Sequence, residues 1–399
     1  MFLFKNLYAT PPKPLTPIFA DMYFLNLLIL HWQQLLFIFL CVVVFIQLFY
    51  YLFFFGRLAF YTPGVKDSTQ THAVSVIICA RDEAANLATN LPGVLVQSYK
   101  TTHEVVVVND NSFDESNYLL EQLRKEFRQM NVVELTQEAI MIPGKKFPLS
   151  IGIKSAKYEV LLLTDADCVP ASENWIESMQ HSYDENTEIV LGYGAFHKRS
   201  GLLNKLVRWE TFHTALQYFS YALAGIPYMG VGRNLSYKKI VFFRHKGFSA
   251  HNHLPGGDDD LFINAAATKA NTKININPES FTLSTAPGTW QQWLKQKKRH
   301  YTTSKYYRPL HKFLLGAYAL ANFCFYPLLV ASLVFYDWKL GLITLCVKLL
   351  VQAVVYARAM QKLGEKDLLP YLLFFDLWMF FYYLLFAPAL IRKPKQHWK

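Results

Sequence analysis

The chain has few charged residues and no paired cysteines. Asp, Glu, Lys and Arg make up 17% of its 399 residues, whereas hydrophobic residues make up 52%, a balance that is apolar for a soluble protein. The five cysteines show neither a CxxC pair nor a zinc-ligand spacing, which argues against a disulfide framework or a structural zinc site. Such a pattern suits a domain in a reducing cytoplasm. The cysteines are Cys41, Cys79, Cys168, Cys324 and Cys346.

Two common phosphate-binding motifs are also absent. No GxGxxG follows the first predicted strand and no GxxxxGK[ST] occurs anywhere, so the dinucleotide-fold and P-loop classes lose their main support. The net charge is +11, but the basic residues do not form a separate patch with interleaved aromatics. They concentrate beside an apolar segment, and we therefore do not expect nucleic acid as a partner.

Long apolar segments lie at both ends of the chain. Residues 35–55 form a run of 21 with Gln47 as the only clearly polar side chain, too long and too late in the chain for a signal peptide. The segments 314–336 and 368–391 are also long enough to cross a bilayer, while 340–356 is marginal at 17 residues. A buried core helix is the alternative, and it carries most weight for 340–356.

The basic residues predict how such a chain is oriented. A basic cluster precedes 314–336, and by the positive-inside rule the central region is then cytoplasmic. Four crossings place the basic tail 392–399 on the opposite side, against the same rule. We expect four crossings, the alternative being that 340–356 lies in the interface. The cluster consists of Lys295, Lys297, Lys298, Arg299, Lys305, Arg308 and Lys312.

The sequence thus predicts four parts. Residues 1–60 form an N-terminal segment with the first transmembrane helix, and residues 70–305 form a cytoplasmic domain. Residues 310–391 contain the remaining transmembrane helices, and 392–399 are the basic tail.

The central region reads as an α/β domain with a mostly parallel sheet. Residues 74–285 alternate short apolar runs with amphipathic stretches, the pattern of parallel strands covered on both faces. In such sheets, ligands collect beyond the carboxyl ends of the strands. The predicted strands are 74–80, 104–110, 131–137 and 159–165, with a helix over 83–99. The polar residues at the strand ends are Arg81, Asp82, Glu83, Asp110, Asp165 and Asp167.

The stretch VLLLTDADC (160–168) ends a buried strand in two carboxylates. One interpretation is a turn whose Asp caps a helix that starts after Val169. The other is a metal site, because Asp165 and Asp167 can offer oxygen ligands to a hard divalent cation, Mg²⁺ or Mn²⁺, that also holds a diphosphate. Asp167 is the better candidate for direct ligation.

Several segments occur in an order and spacing that resemble glycosyltransferase family 2. The resemblance covers about 74–305 and implies an inverting enzyme of GT-A fold that binds a nucleotide sugar. The segments are VSVIICARDEAANL (74–87), VVVVNDNSFDES (105–116), PGKKFPLSIGIKSAK (143–157), LLLTDADC (161–168), MGVGRNLSYKK (229–239), GGDDDLFIN (256–264) and QKKRH (296–300).

The resemblance assigns roles to residues of these segments. Lys145 stands where the family's G-K-x-x-A-L-N-x-G lysine meets the donor's phosphates, whereas Lys146 is expected to be solvated. Asp110 is expected to accept the imide N–H of a uracil, an Asx turn being the alternative. Asp165 is expected nearer the ribose and the water shell of the metal. The expected nucleotide-sugar-binding residues are Ala80, Arg81, Glu83, Asp110, Lys145, Asp165, Gln296, Arg299 and His300.

Inversion requires a carboxylate that takes the proton of the attacking hydroxyl. Asp258 falls at the family's E-D aspartate, and Asp259 is the neighbouring candidate; an acidic helix N-terminus explains at least one of the three acids in GGDDD. Gly257 replaces the usual Glu of this motif, and His300 replaces the Trp of processive synthases.

The helix with QKKRH also has an alternative explanation. Arg299 is expected to pair with the diphosphate, unless the basic residues form a collar on anionic lipid headgroups. Lys297 and Lys298 are expected to face lipid. Trp290 and Trp293 are expected either to stack on a sugar or to lie in the membrane interface.

We therefore expect a membrane-anchored inverting glycosyltransferase that uses a UDP-sugar and a divalent cation. The acceptor is a hydroxyl of a lipid-linked molecule or a glycan of the cell envelope, and the expected location is the bacterial plasma membrane, among its lipids. The alternatives are a processive polysaccharide synthase and a non-catalytic membrane protein that binds nucleotide sugars.

Asp376 lies in the middle of the last apolar segment. A carboxylate at that depth costs a few kcal/mol and needs a partner. One expectation is a protonated Asp376 bonded to Asn322 or Gln352 of a neighbouring span. The other is that it lines a cleft for a lipid-linked acceptor.

Overall fold

The described residues of the central region form ten strands in two sheets. The computed structural model describes residues 17–63, 71–136 and 142–391. The strands are β1 (Val74–Ala80), β2 (His103–Asp110), β3 (Met130–Leu135), β4 (Val160–Asp165), β5 (Cys168–Pro170), β6 (Ile189–Leu191), β7 (Gly194–Phe196), β8 (Leu235–Lys238), β9 (Thr272–Ile274) and β10 (Thr282–Ser284).

The larger sheet has seven strands in the order β3-β2-β1-β4-β8-β6-β9. The first four of these are parallel to one another, and β8 runs antiparallel to both β4 and β6. Every residue of β1 is buried, as expected for a central strand covered on both faces. The mostly parallel sheet is therefore confirmed.

Thirteen α-helices of the described residues surround this sheet or extend from it. A π-helical turn, Tyr50–Phe55, joins the first two helices. The helices are α1 (Pro17–Phe49), α2 (Gly56–Ala59), α3 (Ala84–Leu95), α4 (Ser116–Glu126), α5 (Lys146–Ser155), α6 (Trp175–Gln180), α7 (Leu202–Leu223), α8 (Lys239–Arg244), α9 (Asp260–Ala266), α10 (Trp290–Tyr301), α11 (Pro309–Phe335), α12 (Trp338–Lys362) and α13 (Leu372–Ile391).

The helix predicted over 83–99 ends early, at Leu95. The chain leaves the helix there because Gln97 donates its side-chain amide to the carbonyl of Ser172 at 3.0 Å, and the Ser98 amide donates to the carbonyl of Glu173 at 2.8 Å. A contact more than seventy residues away in sequence thus ends the helix.

Asp167 does not cap a helix. The turn after β4 leads into β5, which pairs with β10 in a second, three-stranded sheet of order β5-β10-β7. The helix α6 begins only at Trp175. The predicted turn is therefore confirmed, but the interpretation of Asp167 as a helix cap is wrong.

Four helices of the described residues are long and apolar enough to cross a membrane, one near the N-terminus and three toward the other end. The marginal run 340–356 belongs to a helix of 25 residues. Residues 1–16 of the N-terminal segment and the basic tail 392–399 lie outside the described residues. The four helices are His31–Ala59, Pro309–Phe335, Trp338–Lys362 and Lys366–Phe386.

Helix α7 joins the sheet domain to the apolar helices. Its Trp209 stacks on Phe375 of α13 with ring centroids 4.6 Å apart. Arg208 of the same helix is 2% exposed and its guanidinium contacts both Glu365 and Asp367, the latter at 2.7 Å. A buried arginine with two carboxylate partners fixes the docking geometry, since breaking such a pair leaves an uncompensated charge.

Asp376 has a charged partner among these helices. Its carboxylate forms an ion pair with Lys348 of α12 and accepts hydrogen bonds from Gln352 Nε2 at 2.8 Å and from the Tyr326 hydroxyl at 2.6 Å. The expected bond to Gln352 is present. Asn322, the alternative partner, instead donates to the carbonyl of Tyr318 at 2.8 Å, so of the two expected partners the structure has Gln352.

Candidate functional site

The carboxyl ends of three adjacent strands bring the first group of predicted site residues together. In the register of the sheet, Ala80 lies opposite Asn109, and Cys79 lies opposite Asp165. Asp110 therefore ends its strand beside Ala80, on the other side of β1 from Asp165. Nη1 of Arg81 lies 3.9 Å from Oδ2 of Asp110. The sheet alone thus places these residues along one edge.

Hydrogen bonds tie the loops after β1 and β2 to each other. Asp82 adopts a φ of +53°, and its Oδ1 accepts the amide of Phe113 at 2.8 Å, while its own amide donates to Ser112 Oγ at 3.0 Å. The amide of Glu83 donates to Ser116 Oγ at 3.3 Å. Because each loop supplies partners for the other, Arg81 and Asp110 are held on a stiff frame.

Lys145 and Asp165 form an ion pair at the end of β4. Burial lowers the pKa of Lys145, but the Asp165 carboxylate outweighs it, and the pKa of the ammonium is raised. Burial raises the pKa of Asp165, and the attraction of Lys145 more than offsets this, so that its pKa is lowered. Both groups are therefore charged at neutral pH, and Lys145 offers a cation at the edge where the carboxylates converge.

Asp167 lies on the turn after β4, facing the second sheet. Its carboxylate accepts hydrogen bonds from Ser284 Oγ at 3.1 Å and from Cys168 Sγ at 3.2 Å. Burial and, second, the charge of Asp165 raise the pKa of Asp167. Two neighbouring carboxylates repel each other when both are charged, and a cation bound between them relieves that repulsion.

The donor set fits a hard divalent cation. One ligand atom from each of Asp165, Asp167 and Cys168 lies within 4.8 Å of the others. Burial and the charge of Asp167 raise the pKa of Cys168 well above its usual value, so the thiol stays protonated and donates to its neighbour. The oxygens of the two aspartates are then the ligands, which suits Mg²⁺ or Mn²⁺ better than a thiophilic metal.

Arg233 belongs to this site, although the sequence reasoning did not single it out. Its guanidinium lies over the ring of Phe196, 4.2 Å from the centroid, and its charge lowers the pKa of both Asp165 and Asp167 after larger effects. Nη1 is buried without a hydrogen-bond partner among the described residues. The signal was available, because Arg233 is the variable position of the G-x-N segment.

The three aspartates of GGDDD have different partners. Asp259 is the N-cap of α9: one oxygen accepts the Asp260 amide at 2.7 Å and the other accepts the Gly232 amide at 2.8 Å. Asp260 is buried and accepts from the hydroxyls of Thr303 and Tyr307. Asp258 makes no hydrogen bond or ion pair with any residue in the described part of the chain. It therefore has both oxygens available.

Lys146 is not solvated, contrary to the sequence expectation. Its side chain is 0% exposed, and Nζ donates hydrogen bonds to the backbone carbonyls of Leu254 and Gly256. Both carbonyls belong to the loop that leads into Asp258. The lysine is buried because the loop folds back over α5, an arrangement that sequence spacing does not reveal.

Helix α10 carries Gln296, Arg299 and His300. Arg299 is exposed, and its charge contributes to the lowered pKa of Asp165, which puts this part of the helix near the rim of the site. The structure thus brings Arg299 toward the strand ends that carry the other predicted donor-binding residues.

Two other expectations for this helix are wrong. Trp293 is 2% exposed and its indole donates to Glu210 at 2.9 Å, so it neither stacks on a sugar nor lies in the membrane interface. Lys297 does not face lipid, because its Nζ lies 2.7 Å from Glu210 Oε1. Trp290 and Lys298 are exposed, as required for either of the surroundings expected of them.

Comparison with a solved structure defines the fold class. The mannosyltransferase PcManGT from Pyrobaculum calidifontis, solved in complex with GDP-Man and Mn²⁺, superposes with a TM-score of 0.55 at 18% identity, covering 87% of this chain and 99% of that chain. The chain therefore has a GT-A fold.

Sequence comparisons relate the central domain to a known family. The family model described as Glycosyl transferase family 2 matches residues 75–240, so this part of the chain is a glycosyltransferase family 2 domain. The probable glycosyltransferase YdaM of Bacillus subtilis (strain 168) is 24% identical over 247 residues, 57% of this chain and 54% of YdaM. A poly-beta-1,6-N-acetyl-D-glucosamine synthase of Staphylococcus aureus (strain COL) is 26% identical over 160 residues, 39% of this chain and 37% of the synthase. The chain thus spans about half or less of the curated relatives it matches.

Proposed function

We propose that this protein is a membrane-anchored inverting glycosyltransferase that transfers a sugar from a nucleotide sugar to a hydroxyl group. One observation carries the proposal. Asp110 and Asp165 end the two strands that flank β1, Asp167 follows on the turn after β4, and Lys145 pairs with Asp165. Asp258 is the one acid of GGDDD without a hydrogen bond or ion pair among the described residues. Lys145 and the aspartates at the strand ends suit the binding of a nucleoside diphosphate and a cation. Asp258 suits the role of the base.

Each side chain has a defined task in this mechanism. Asp258 takes the proton of the acceptor hydroxyl as its oxygen attacks the anomeric carbon. The bond from that carbon to the diphosphate oxygen breaks, the nucleoside diphosphate leaves with the electron pair, and one in-line displacement inverts the centre. Lys145, Arg233 and Arg299 are positive charges that stabilise the departing diphosphate.

Asp165 and Asp167 would hold Mg²⁺ or Mn²⁺. When bound, such a cation acts as a Lewis acid that neutralises charge on the leaving diphosphate. A metal role is further supported by the Mn²⁺ in the complex of PcManGT. Asp110, at the end of β2, would accept the imide N–H of uracil, which favours a UDP-sugar as donor.

The four apolar helices support an anchor in a plasma membrane with the domain 70–305 in the cytoplasm. An acceptor that is lipid-linked or a cell-envelope glycan fits this setting. The named activity of the Staphylococcus aureus relative favours one further candidate, a processive polymer synthase.

Purified protein in detergent, incubated with a panel of nucleotide sugars and Mg²⁺ or Mn²⁺, tests the proposal. The panel includes UDP-N-acetylglucosamine and GDP-mannose, and release of the nucleoside diphosphate is measured. We expect turnover of one donor, dependent on the cation, and no turnover by Asp167→Asn. Binding of donors without turnover under any acceptor condition would favour the non-catalytic alternative. Products longer than one added sugar would favour the synthase.

A further inference from the structure

Lys145 and Lys146 are adjacent in sequence, yet their side chains reach two different parts of the site. Lys145 pairs with Asp165 at the donor edge, whereas Lys146 donates to two carbonyls of the loop that ends in Asp258. One peptide bond therefore joins the lysine proposed to meet the diphosphate to the lysine whose side chain hydrogen-bonds the loop that carries the proposed base.

Lys146 anchors the backbone of the loop from Leu254 to Gly257, beside the buried side chain of Leu254. The loop itself lies outside the strands and helices, and Gly257 has a φ of +96°. A buried ammonium must have hydrogen-bond acceptors, and buried carbonyls must have donors. Because Nζ serves both Leu254 and Gly256, one side chain fixes the backbone on either side of Pro255.

A backbone contact adds a second connection between the same two segments. Gly144 has a φ of +84°, and a Cβ at this position would collide with the carbonyl oxygen of Pro255. The two backbone segments therefore touch without an intervening side chain. A shift of the segment 144–146 is transmitted to the loop directly.

We propose that Lys146 is a positioning residue that couples occupancy of the donor site to the placement of Asp258. The proposal rests on the proposed function. A diphosphate competes with Asp165 for the ammonium of Lys145, and any movement of Lys145 displaces its neighbours Gly144 and Lys146. Through the two carbonyls, the loop then sets Asp258 for the acceptor. The base is placed when a donor is bound, which limits wasteful hydrolysis of the donor.

Hydrogen exchange of the full chain in detergent tests this coupling, with UDP and Mn²⁺ as the probe. In the parent protein we expect UDP to slow exchange of the amides in 252–258. In Lys146→Met we expect these amides to exchange about tenfold faster without ligand, because the loop has lost its anchor. UDP should then protect them no further, although its Kd stays within about threefold of the parent value.

Kinetics separate positioning from a general loss of structure. Lys146→Met should lower kcat about 30-fold and leave KM for the donor nearly unchanged, with Lys146→Gln in between because an amide keeps one donor for a carbonyl. Lys154→Met is the matched control, since Lys154 is an exposed lysine of the same helix, and it should behave as the parent.

The outcomes are distinct. If UDP binds the parent protein without changing exchange in 252–258, or protects the loop equally in the parent and in the variants, the coupling is refuted. If neither UDP nor GDP binds the parent protein, the proposed function fails, and the coupling fails with it. The comparison of ligand-free exchange between the parent and Lys146→Gln still decides whether Lys146 positions the loop, even if Lys146→Met does not fold.

Discussion

The indole Nε1 of Trp293 donates a hydrogen bond to Glu210 Oε2 at 2.9 Å, and this bond joins α10 to α7. Glu210 also pairs with Lys297 at 2.7 Å and accepts from the hydroxyl of Tyr382 in α13. One buried carboxylate therefore holds three helices together, and it sets the position of the helix that carries Arg299.

Replacing Glu210 is expected to loosen α10. Glu210→Gln keeps an acceptor for the indole but leaves Lys297 without its counter-charge, and unpairing a buried ion pair destabilises by about 3–5 kcal/mol. We expect a lower thermal midpoint in detergent and a raised KM for the donor, because Arg299 is no longer held at the rim. Glu121→Gln, at an exposed position of α4, should change neither; an unchanged KM in Glu210→Gln would contradict the positioning of α10.

Asp167→Asn is expected to abolish cation-dependent donor binding and transfer. The amide keeps the shape of the side chain and an acceptor for Ser284 but loses the charge that a divalent cation requires. We expect turnover to drop by at least about 100-fold, with the thermal midpoint within a few degrees of the parent. Isothermal titration of UDP with and without Mn²⁺ measures the first effect, and the exposed Glu185 provides a control as Glu185→Gln. Full activity of Asp167→Asn would rule out this metal site.

Replacing Asp258 and replacing Asp259 by Asn are expected to have different effects. Asp258→Asn should bind UDP as the parent does and lose turnover by about 100-fold or more, because the base acts only in the transition state. Asp259→Asn loses one of two backbone acceptors at the start of α9 and should cost about 1 kcal/mol of stability at low pH, where the carboxyl of Asp259 is protonated in both the folded and the unfolded state. Loss of turnover in Asp259→Asn alone, without a change in stability, would show that Asp259 and not Asp258 is the base.

The pKa of Asp259 predicts a pH dependence of stability. Burial, then the charges of Asp258 and Asp260, raise the pKa of this carboxyl from 3.8 to about 8, and the two backbone hydrogen bonds offset only part of the rise. The folded state therefore binds more protons than the unfolded state between these pH values, and the contribution of Asp259 to the free energy of unfolding falls as pH rises. We expect the thermal midpoint to fall from pH 5 toward about pH 8. Asp259→Asn should flatten this slope, and an equal slope in both proteins would refute the assignment.

The pair of Lys348 and Asp376 predicts the effect of removing charge among the apolar helices. Asp376→Leu leaves the ammonium of Lys348 buried and unpaired, which should destabilise the protein by about 3–5 kcal/mol. Adding Lys348→Met to Asp376→Leu should restore most of the lost stability. The stability of Asp376→Asn should lie between those of the parent and Asp376→Leu. Thermal unfolding in detergent measures all three variants. If Asp376→Leu alone is as stable as the parent and transfers sugar at its rate, the pair has no structural role and no part in an acceptor cleft.

The sequence by itself determined the four parallel strands β1 to β4 of the larger sheet and the polar residues at their carboxyl ends. The apolar runs of β1, β2 and β4 are local signals, and parallel strands necessarily place their carboxyl ends at one edge. Asp110, Asp165 and Asp167 were therefore predictable as neighbours. The apolar length of the terminal helices is equally a property of composition.

The tertiary structure alone decided which side chains are free to act. Three adjacent aspartates look alike in sequence, but two of them accept hydrogen bonds from distant segments. Asp259 accepts from the Gly232 amide, and Asp260 accepts from the hydroxyls of Thr303 and Tyr307. Asp258 has no such partner among the described residues. Segments about 80 to 110 residues away in the chain bury Lys146 and Trp293 and pair with the partly buried Lys297. Such contacts follow from how whole elements pack, and no local periodicity records the partner that a polar group will find when it is removed from water.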